Sequence, residues 1–193
     1  MTGGRSLVAQ RAIAGLLLLA RRFPPRFAAQ REHRWLQLRR AQAPADLEGQ
    51  TLLLVGLGAA GTRIARFAQA LGMRVLAVRP SPARGGEPVD ELHAPPQLDA
   101  LLPRAQWLVL ACPCNDDTRG LIDARRLALL PRGAGLINTA DRALVDEAAL
   151  AAALADGALA HACIDTGEGD PLPADSPLRA LTNVLLAPPA AAA

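Results

Sequence analysis

A glycine pattern constrains the fold of this chain more than any other feature. Gly56, Gly58 and Gly61 form GxGxxG, directly after the apolar run 51–55 (TLLLV) and at the start of a helical pattern over 60–71. Such a run is typical of a parallel strand buried on both faces. In a strand-turn-helix unit the first glycine makes the turn, the second lets a pyrophosphate approach the backbone, and the third lets helix and strand pack closely. The pattern therefore predicts a dinucleotide-binding turn, because N–H groups at a helix start bind anions.

The rest of the chain alternates strand and helix patterns, which is the rhythm of βαβ units. We expect strands at 74–78, 107–111, 134–138, 159–164 and 183–186, with a weak segment at 90–93. Helices are expected at 97–102, 123–130 and 146–156, and Pro-rich loops at 80–88 and 169–177. The predicted fold class is α/β, a Rossmann doubly wound parallel sheet.

The opening segment predicts helix. Residues 7–39 indicate one long helix or a helix pair, broken at Pro24-Pro25 and resuming through Trp35 and Leu38. The length of 193 residues favours one compact domain. We expect a helical segment over 1–45, the nucleotide-binding domain over 46–189, and an unstructured tail over 190–193.

Charge and cysteine patterns exclude several classes of function. Residues 1–40 contain nine arginines and one acid, Glu32, but no nucleic-acid-binding motif accompanies them, so a solvated or subunit-facing helix side is favoured. The apolar stretch 12–20 is too short to span a bilayer and lacks a signal-peptide cleavage site. Three cysteines without metal-binding spacing fit reduced thiols. We therefore expect a cytoplasmic protein without a metal, nucleic acid or membrane.

The residue after the second strand bears on cofactor choice. About eighteen residues after Gly61, where an acid would bind the ribose 2′-OH of NAD, the chain has Arg79. With Ser81 or Arg84 it could hold a 2′-phosphate, so the sequence favours NADP over NAD. The alternative is that Arg79 is a solvent-exposed residue at a strand end.

Five blocks, in order and over nearly the whole chain, resemble the D-isomer-specific 2-hydroxyacid dehydrogenases, in particular relatives of glyoxylate/hydroxypyruvate reductase and phosphoglycerate dehydrogenase. They are the glycine pattern, then LGMRV at 71–75, LACPCNDDTRGLI at 110–122, LVDEAAL at 144–150, and Asp165 with DPLP at 170–173. The resemblance implies hydride transfer between a nicotinamide and a 2-keto or 2-hydroxy acid. It also implies a homodimer formed through the opening helix.

The resemblance and the strand ends together give a cofactor site. Asp165 is expected to contact the nicotinamide carboxamide, and Cys112, Pro113 and Thr139 to line the nicotinamide ribose. The predicted cofactor-binding residues are Gly56, Gly58, Ala60, Gly61, Thr62, Arg79, Cys112, Pro113, Thr139 and Asp165.

The catalytic residues that the family uses are largely replaced. Its NxxRG block is present as residues 138–142, with Asp141 in the position of the substrate-binding arginine and Arg142 one position late. Asp170 occupies the position of the catalytic glutamate, and Pro189 that of the acid/base histidine. The resemblance also implies a separate substrate domain that these residues do not contain. We expect a truncated, catalytically impaired NAD(P)-binding domain; the alternatives are an enzyme completed by another chain and a non-catalytic nucleotide-sensing or dimerisation module.

Overall fold

The computed structural model describes residues 3–38, 43–165 and 172–187. Within these ranges, seven strands form one sheet: β1 (Thr51–Val55), β2 (Arg74–Val78), β3 (Glu91–His93), β4 (Trp107–Leu110), β5 (Ala134–Asn138), β6 (Leu159–Asp165) and β7 (Val184–Ala187). The helices are α1 (Gly3–Ala20), α2 (Phe23–Arg31), α3 (Ala59–Ala70), α4 (Leu98–Leu101), α5 (Ala124–Leu129) and α6 (Glu147–Ala155). Short 3₁₀ turns flank α4, precede α6 and precede β7.

The strand order reverses at β1, which creates the crevice where this fold class binds ligands. The order is β3-β2-β1-β4-β5-β6-β7, and every pair is parallel. Val55, the last residue of β1, lies beside Val78 of β2 on one side and Leu110 of β4 on the other. The carboxyl ends of three strands are therefore level at the reversal, as in a doubly wound sheet. This topology confirms the predicted Rossmann fold.

The apolar runs of the strands are explained by burial on both faces. In β1, Leu53 and Val55 pack with α4, α5 and α6, whereas Leu52 and Leu54 pack with α1 and α3 on the other face. Each core thus takes alternate residues of the same strands. A strand covered on both faces has no polar side, so its sequence is continuously apolar rather than alternating.

Helix α1 packs directly on the sheet beside α3 and over β5 and β6. The closest approach is at Gly15, where a Cβ atom would lie 2.7 Å from Sγ of Cys163. The absence of a side chain at Gly15 lets the helix axis approach the strand, and Leu16 and Leu19 are buried on the same helix. Helix α1 therefore contributes to the core of the domain.

The predicted helix break at Pro24-Pro25 is wrong by a few residues. Helix α1 ends at Ala20, Arg22 has a left-handed conformation with φ of 57°, and both prolines lie in the first turn of α2. A proline is tolerated there because the first N–H groups of a helix have no partner within the helix. A local sequence pattern therefore cannot distinguish a proline that breaks a helix from one that begins it.

The predicted helical continuation through Trp35 and Leu38 is also wrong. Helix α2 ends at Arg31, and residues 34–38 have no regular structure. His33 adopts a left-handed conformation with φ of 54°, which reverses the chain after the helix. Helix α1 begins at Gly3, four residues before the predicted start, whereas the predicted strands and helices α3 to α6 agree with the structure to within one or two residues at each end. The predicted tail at 190–193 lies outside the described residues.

No helix in the described part of the chain is long and apolar enough to cross a membrane.

His161 is a partly buried histidine in β6, far from the strand ends that form the crevice. It borders a cavity between the α1–α2 connection and the residues before β7, together with Arg22 and Asn183. Burial, and secondarily the positive charge of Arg22, lower the pKa of His161 to about 4. The histidine is therefore neutral in the folded protein at neutral pH.

This shift predicts a pH-dependent loss of stability. Because the folded-state pKa of His161 lies below its usual value, the unfolded chain takes up the proton first as the pH falls. The stability contribution is present above about pH 6.5 and is lost as the pH falls towards 4. Between pH 7 and 4.5 the wild type should lose about 1–2 kcal/mol more unfolding free energy than His161→Gln, measured by urea denaturation. The exposed His33→Asn variant should behave like wild type; equal acid losses in all three proteins would contradict the prediction.

Candidate functional site

The glycine turn between β1 and α3 is closed on two sides by the protein itself. Gly56 has φ of 104°, and a Cβ atom there would lie 2.6 Å from the backbone nitrogen of Cys112 at the end of β4. A Cβ atom at Gly61 would lie 2.0 Å from the carbonyl oxygen of Gly56. The first glycine thus lets β1 turn against β4, and the third lets α3 begin in contact with β1.

Gly58 has a different environment from the other two glycines. It precedes α3 with an ordinary extended conformation, and a Cβ atom there would meet nothing within 4 Å. Its carbonyl oxygen accepts the first helical hydrogen bond, from Thr62 N at 2.8 Å. The N–H groups of the first helical turn have no acceptor within the helix and carry its positive dipole end. The open space at Gly58 therefore lets an anionic group reach these donors.

A cleft of about 560 Å³ lies at the carboxyl ends of β1, β2 and β4. It is lined by the β1–α3 turn, by the end of β2, by the segment after β4, and by Pro95 and Leu98 below them. The cleft lies at the reversal of strand order, where open α/β sheets bind dinucleotides. Its lining is mostly apolar with a few polar groups at the rim, a composition typical of cofactor sites.

The predicted cofactor residues fall into three groups. Gly56, Gly58, Arg79, Cys112 and Pro113 line the cleft. Ala60, Gly61 and Thr62 form the first turn of α3 behind the glycine turn. Thr139 and Asp165 lie further along the same edge of the sheet, after β5 and at the end of β6.

Thr139 and its neighbours form a tight turn after β5. The backbone N–H and the hydroxyl of Thr139 both donate to the carbonyl oxygen of Leu110, at 3.1 and 2.9 Å. The buried Asn138 accepts from Ala140 N and donates to the carbonyl oxygen of Asp141, at 3.0 Å each. These bonds join the ends of β4 and β5 and fix the turn beside the cleft.

Asp165 is held by the opening helix. Nη2 of Arg11 in α1 donates to a carboxylate oxygen of Asp165 and, at 3.1 Å, to the carbonyl oxygen of Ala187 at the end of β7. Burial raises the pKa of Asp165, and Arg11 opposes that effect. The pair connects α1 to the ends of the last two strands, and sequence reasoning did not identify Arg11 as part of this edge.

The displaced Arg142 is not among the residues that line the cleft. Its Nη1 lies 3.2 Å from a carboxylate oxygen of Glu147 in α6, whose other oxygen accepts from the Ser176 hydroxyl at 2.6 Å.

The exposed Asp141 accepts from Ala143 N at 2.8 Å and thereby caps the 3₁₀ turn before α6. Two of the other predicted positions, Asp170 and Pro189, lie outside the described residues.

Two thiols at and near this edge, those of Cys112 and Cys163, are protonated at neutral pH. Burial raises the pKa of Cys112, which lines the cleft, and raises that of Cys163 under α1 to about 12. A nucleophilic cysteine needs a lowered pKa, so neither environment activates one. Among the described residues, no group of three His, Cys, Asp or Glu side chains could hold a metal ion.

Residues 115–118 also border the cleft and were not predicted as site residues. Asn115 Oδ1 accepts from the backbone nitrogens of Asp117 and Thr118, at 3.0 and 3.1 Å. The Thr118 hydroxyl donates to the carbonyl oxygen of Pro113 at 2.8 Å. This closed turn holds Pro113 against the cleft. Thr118, the threonine of the segment 110–122 that resembles the family, was the sequence feature that could have identified this turn.

A family model described as "D-isomer specific 2-hydroxyacid dehydrogenase, NAD binding domain" matches residues 13–191. The chain is 39% identical to a glyoxylate reductase of Aeropyrum pernix over 165 residues, which is 82% of this chain and 49% of the relative. It is 38% identical to a D-3-phosphoglycerate dehydrogenase of Mycobacterium bovis over 182 residues, 93% of this chain and 33% of the relative. The chain thus spans about half or less of these two curated relatives.

Solved structures are similar over nearly the whole chain. A D-isomer specific 2-hydroxyacid dehydrogenase from Xanthobacter autotrophicus Py2, in complex with NADPH and MES, superimposes with a TM-score of 0.84 at 36% identity. The match covers 97% of this chain and 76% of that one.

The different environments of two glycines predict opposite outcomes for the same substitution. Gly61→Ala should destabilise the fold by about 3 kcal/mol or more, because its Cβ would overlap the backbone oxygen of Gly56. Gly58→Ala should change the unfolding free energy by less than about 1 kcal/mol, because its conformation is allowed and the space is open. Thermal and urea unfolding measure both effects. Similar stabilities for the two variants would mean that α3 does not contact β1 as described.

Proposed function

Since this chain belongs to the D-isomer specific 2-hydroxyacid dehydrogenase family and contains its NAD binding domain, we propose that it binds a nicotinamide dinucleotide across the β1–α3 turn, with NADP(H) preferred. The observation that carries this proposal is the open space at Gly58, above the first turn of α3 and beside the cleft. At Gly56 and Gly61 the protein's own backbone fills the corresponding space. The pyrophosphate would therefore contact the helix N–H groups at Gly58.

Preference for NADP(H) is supported by Arg79 and Ser81, which lie at the end of β2 and line the cleft. Arg79 Nε donates to the carbonyl oxygen of Ser81 at 2.9 Å, which fixes the plane of the guanidinium at the cleft wall. A fixed guanidinium forms charge-assisted hydrogen bonds with a phosphate. The similar Xanthobacter protein was solved with NADPH.

The nicotinamide would supply hydride exchange with a 2-keto or 2-hydroxy acid, and this chain's residues would orient it. Thr139, fixed by Leu110, and Asp165, fixed by Arg11, lie along the sheet edge on the side of the cleft where β5 and β6 end. Pro113 would cover the nicotinamide ribose from the β4 side.

Turnover also needs a cation for the substrate carboxylate and a proton donor for its oxygen. The positions that the family resemblance gives to these groups contain Asp141 and Pro189. Arg142 cannot replace this cation while it binds Glu147. At the position of the catalytic glutamate, the chain has the shorter acid Asp170. We infer that this domain retains dinucleotide binding and is impaired in catalysis.

Isothermal titration of the purified chain tests the proposal. NADPH should bind with a stoichiometry of one and about tenfold more tightly than NADH, a ratio that corresponds to about 1.4 kcal/mol and to one charge-assisted hydrogen bond. Arg79→Ala should weaken NADPH binding to the level of NADH and leave NADH binding nearly unchanged.

Two variants control for this experiment. Arg66→Ala removes an exposed arginine from α3 and should bind both dinucleotides like wild type. Gly58→Ala should fold but bind neither dinucleotide measurably, because its Cβ occupies the space of the pyrophosphate. If wild type binds neither NADPH nor NADH, the glycine turn is architectural only and the proposed function is refuted.

A second function, homodimerisation, is favoured by exposed aromatic side chains in and after α2. Trp35 is 92% exposed, Phe27 50% and Phe23 37%. The rings of Phe23 and Phe27 stack with their centroids 5.4 Å apart. Large aromatic side chains contribute strongly to protein interfaces. We propose that these three residues contact a second copy of the chain.

Light scattering during size-exclusion chromatography tests the dimer. Wild type should elute with twice the mass of one chain, and the double variant Phe27→Ser/Trp35→Ser should elute as a monomer with unchanged dinucleotide binding. Phe67→Ser is the matched control, because Phe67 is a 41%-exposed aromatic on α3 and should leave the dimer intact. A monomeric wild type at micromolar concentration would exclude this second function.

A further inference from the structure

The loop after β2 places a carboxylate against the arginine at the cleft wall. Oε1 of Glu87 accepts from Nη2 of Arg79 at 2.5 Å and from the backbone nitrogen of Arg84 at 2.7 Å. Both side chains of the ion pair are largely shielded from solvent, with exposed fractions of 13% for Arg79 and 15% for Glu87. Water therefore screens this pair less than a typical surface ion pair.

The loop is built to bring Glu87 back to the end of β2. Gly85 and Gly86 both have left-handed conformations, with φ of 86° and 75°, and these reverse the chain between Arg84 and Glu87. Arg79 in turn donates to the carbonyl oxygens of Ser81 and Pro82, at 2.9 and 2.6 Å. Loop and arginine therefore fix each other.

The hydrogen-bond inventory of Arg79 shows what a ligand would have to displace. Nε donates to Ser81 and Nη2 to Pro82 and Glu87, whereas Nη1 has no acceptor among the described residues. An unphosphorylated ribose needs no donor from Nη2 and leaves the ion pair intact. A 2′-phosphate carries about two negative charges and three acceptor oxygens. It would need both Nη groups for bidentate binding and would lie close to the Glu87 carboxylate.

Glu87 is ionised at neutral pH. The backbone N–H of Arg84 contributes most to a pKa of Glu87 below its usual range; the backbone N–H of Glu87 itself and the Arg79 guanidinium add to this effect, and burial opposes it. A like charge placed beside an incoming phosphate disfavours binding. The same carboxylate does not repel an unphosphorylated ribose.

From this geometry we propose that Glu87 is a specificity-determining residue that competes with the 2′-phosphate for Arg79 and reduces the preference of the site for NADP(H) over NAD(H). This inference rests on the proposed function, since it requires that the adenosine end of a dinucleotide lies at Arg79. The inference predicts a site that discriminates only modestly between NADP(H) and NAD(H), because Arg79 favours binding of the 2′-phosphate and Glu87 opposes it. Neither Glu87 nor this competition follows from the glycine pattern or from Arg79 alone.

The test compares NADPH and NADH affinities by calorimetry in Glu87→Gln. The amide keeps an oxygen to accept from Arg84 N but removes the charge, so NADPH affinity should rise about tenfold while NADH affinity changes less than about twofold. Glu87→Ala should give the same direction if the amide disturbs the loop. The matched control is Glu48→Gln, which neutralises an exposed acid before β1 at the opposite end of the sheet. It should leave both affinities unchanged.

A double variant distinguishes competition from general charge effects. In the Arg79→Ala background, Glu87→Gln should no longer raise NADPH affinity tenfold, because the variant has no Arg79 guanidinium that could be freed from the ion pair with Glu87. If wild type binds both dinucleotides but the NADPH-to-NADH affinity ratio changes less than twofold in both Glu87 variants, the inference is overturned while the proposed function stands. If wild type binds neither, both are overturned. A tenfold gain in Glu48→Gln would assign the effect to net charge and overturn the role of Glu87.

Discussion

The contact between the start of α3 and the end of β1 is the constraint on which the site depends. The carbonyl oxygen of Gly56 occupies the space where a side chain of Gly61 would begin, and the backbone of Cys112 closes the other side of Gly56. Three chain segments thus meet where no side chain fits. This contact places the N-terminus of α3 above the reversal of strand order, between the ends of β1 and β4. The anion-binding donors of the helix are positioned by backbone packing and not by polar side chains.

The fold was largely predictable because burial on both faces leaves a simple sequence signature. The strands at 51–55, 74–78 and 134–138 have the predicted bounds, since both faces of these strands are buried apart from their first residues Thr51 and Arg74. The N-terminal segment was harder. Pro24 is compatible both with a helix break and with a first helical turn, and Trp35 fits a helical periodicity although it is exposed in irregular structure. Local patterns contain no information that separates these cases.

The candidate site was predictable where it depends on the backbone and less so where it depends on side-chain partners. The glycine turn and Arg79 follow from spacing after a buried strand. The partner of Asp165 is Arg11, 154 residues earlier, and it meets the strand end only because Gly15 lets α1 lie on β6. Glu87 meets Arg79 only because the intervening loop reverses. Such pairs depend on the path of the chain in space, which sequence periodicity does not specify.

Near the carboxyl edge of the sheet, the described residues include three ion pairs between an arginine and a carboxylate. Each of three arginines near this edge has a carboxylate partner: Arg79 with Glu87, Arg11 with Asp165, and Arg142 with Glu147. An anionic ligand that relied on these guanidinium groups would have to compete with the existing partners. The backbone N–H groups at the start of α3 have no such competitor within the helix. They can therefore attract a pyrophosphate without first releasing a carboxylate partner.

The proposed dinucleotide binding and the turnover that the family resemblance implies would depend on different parts of this chain. Binding, as proposed, depends on the backbone contacts of Gly56 and Gly61 and on the open space at Gly58, which are all present. Turnover depends on side chains, and the chain has Asp141 where the family resemblance places a cation for an anionic substrate. The backbone contacts that shape the glycine turn therefore involve none of the positions that the family resemblance assigns to catalysis.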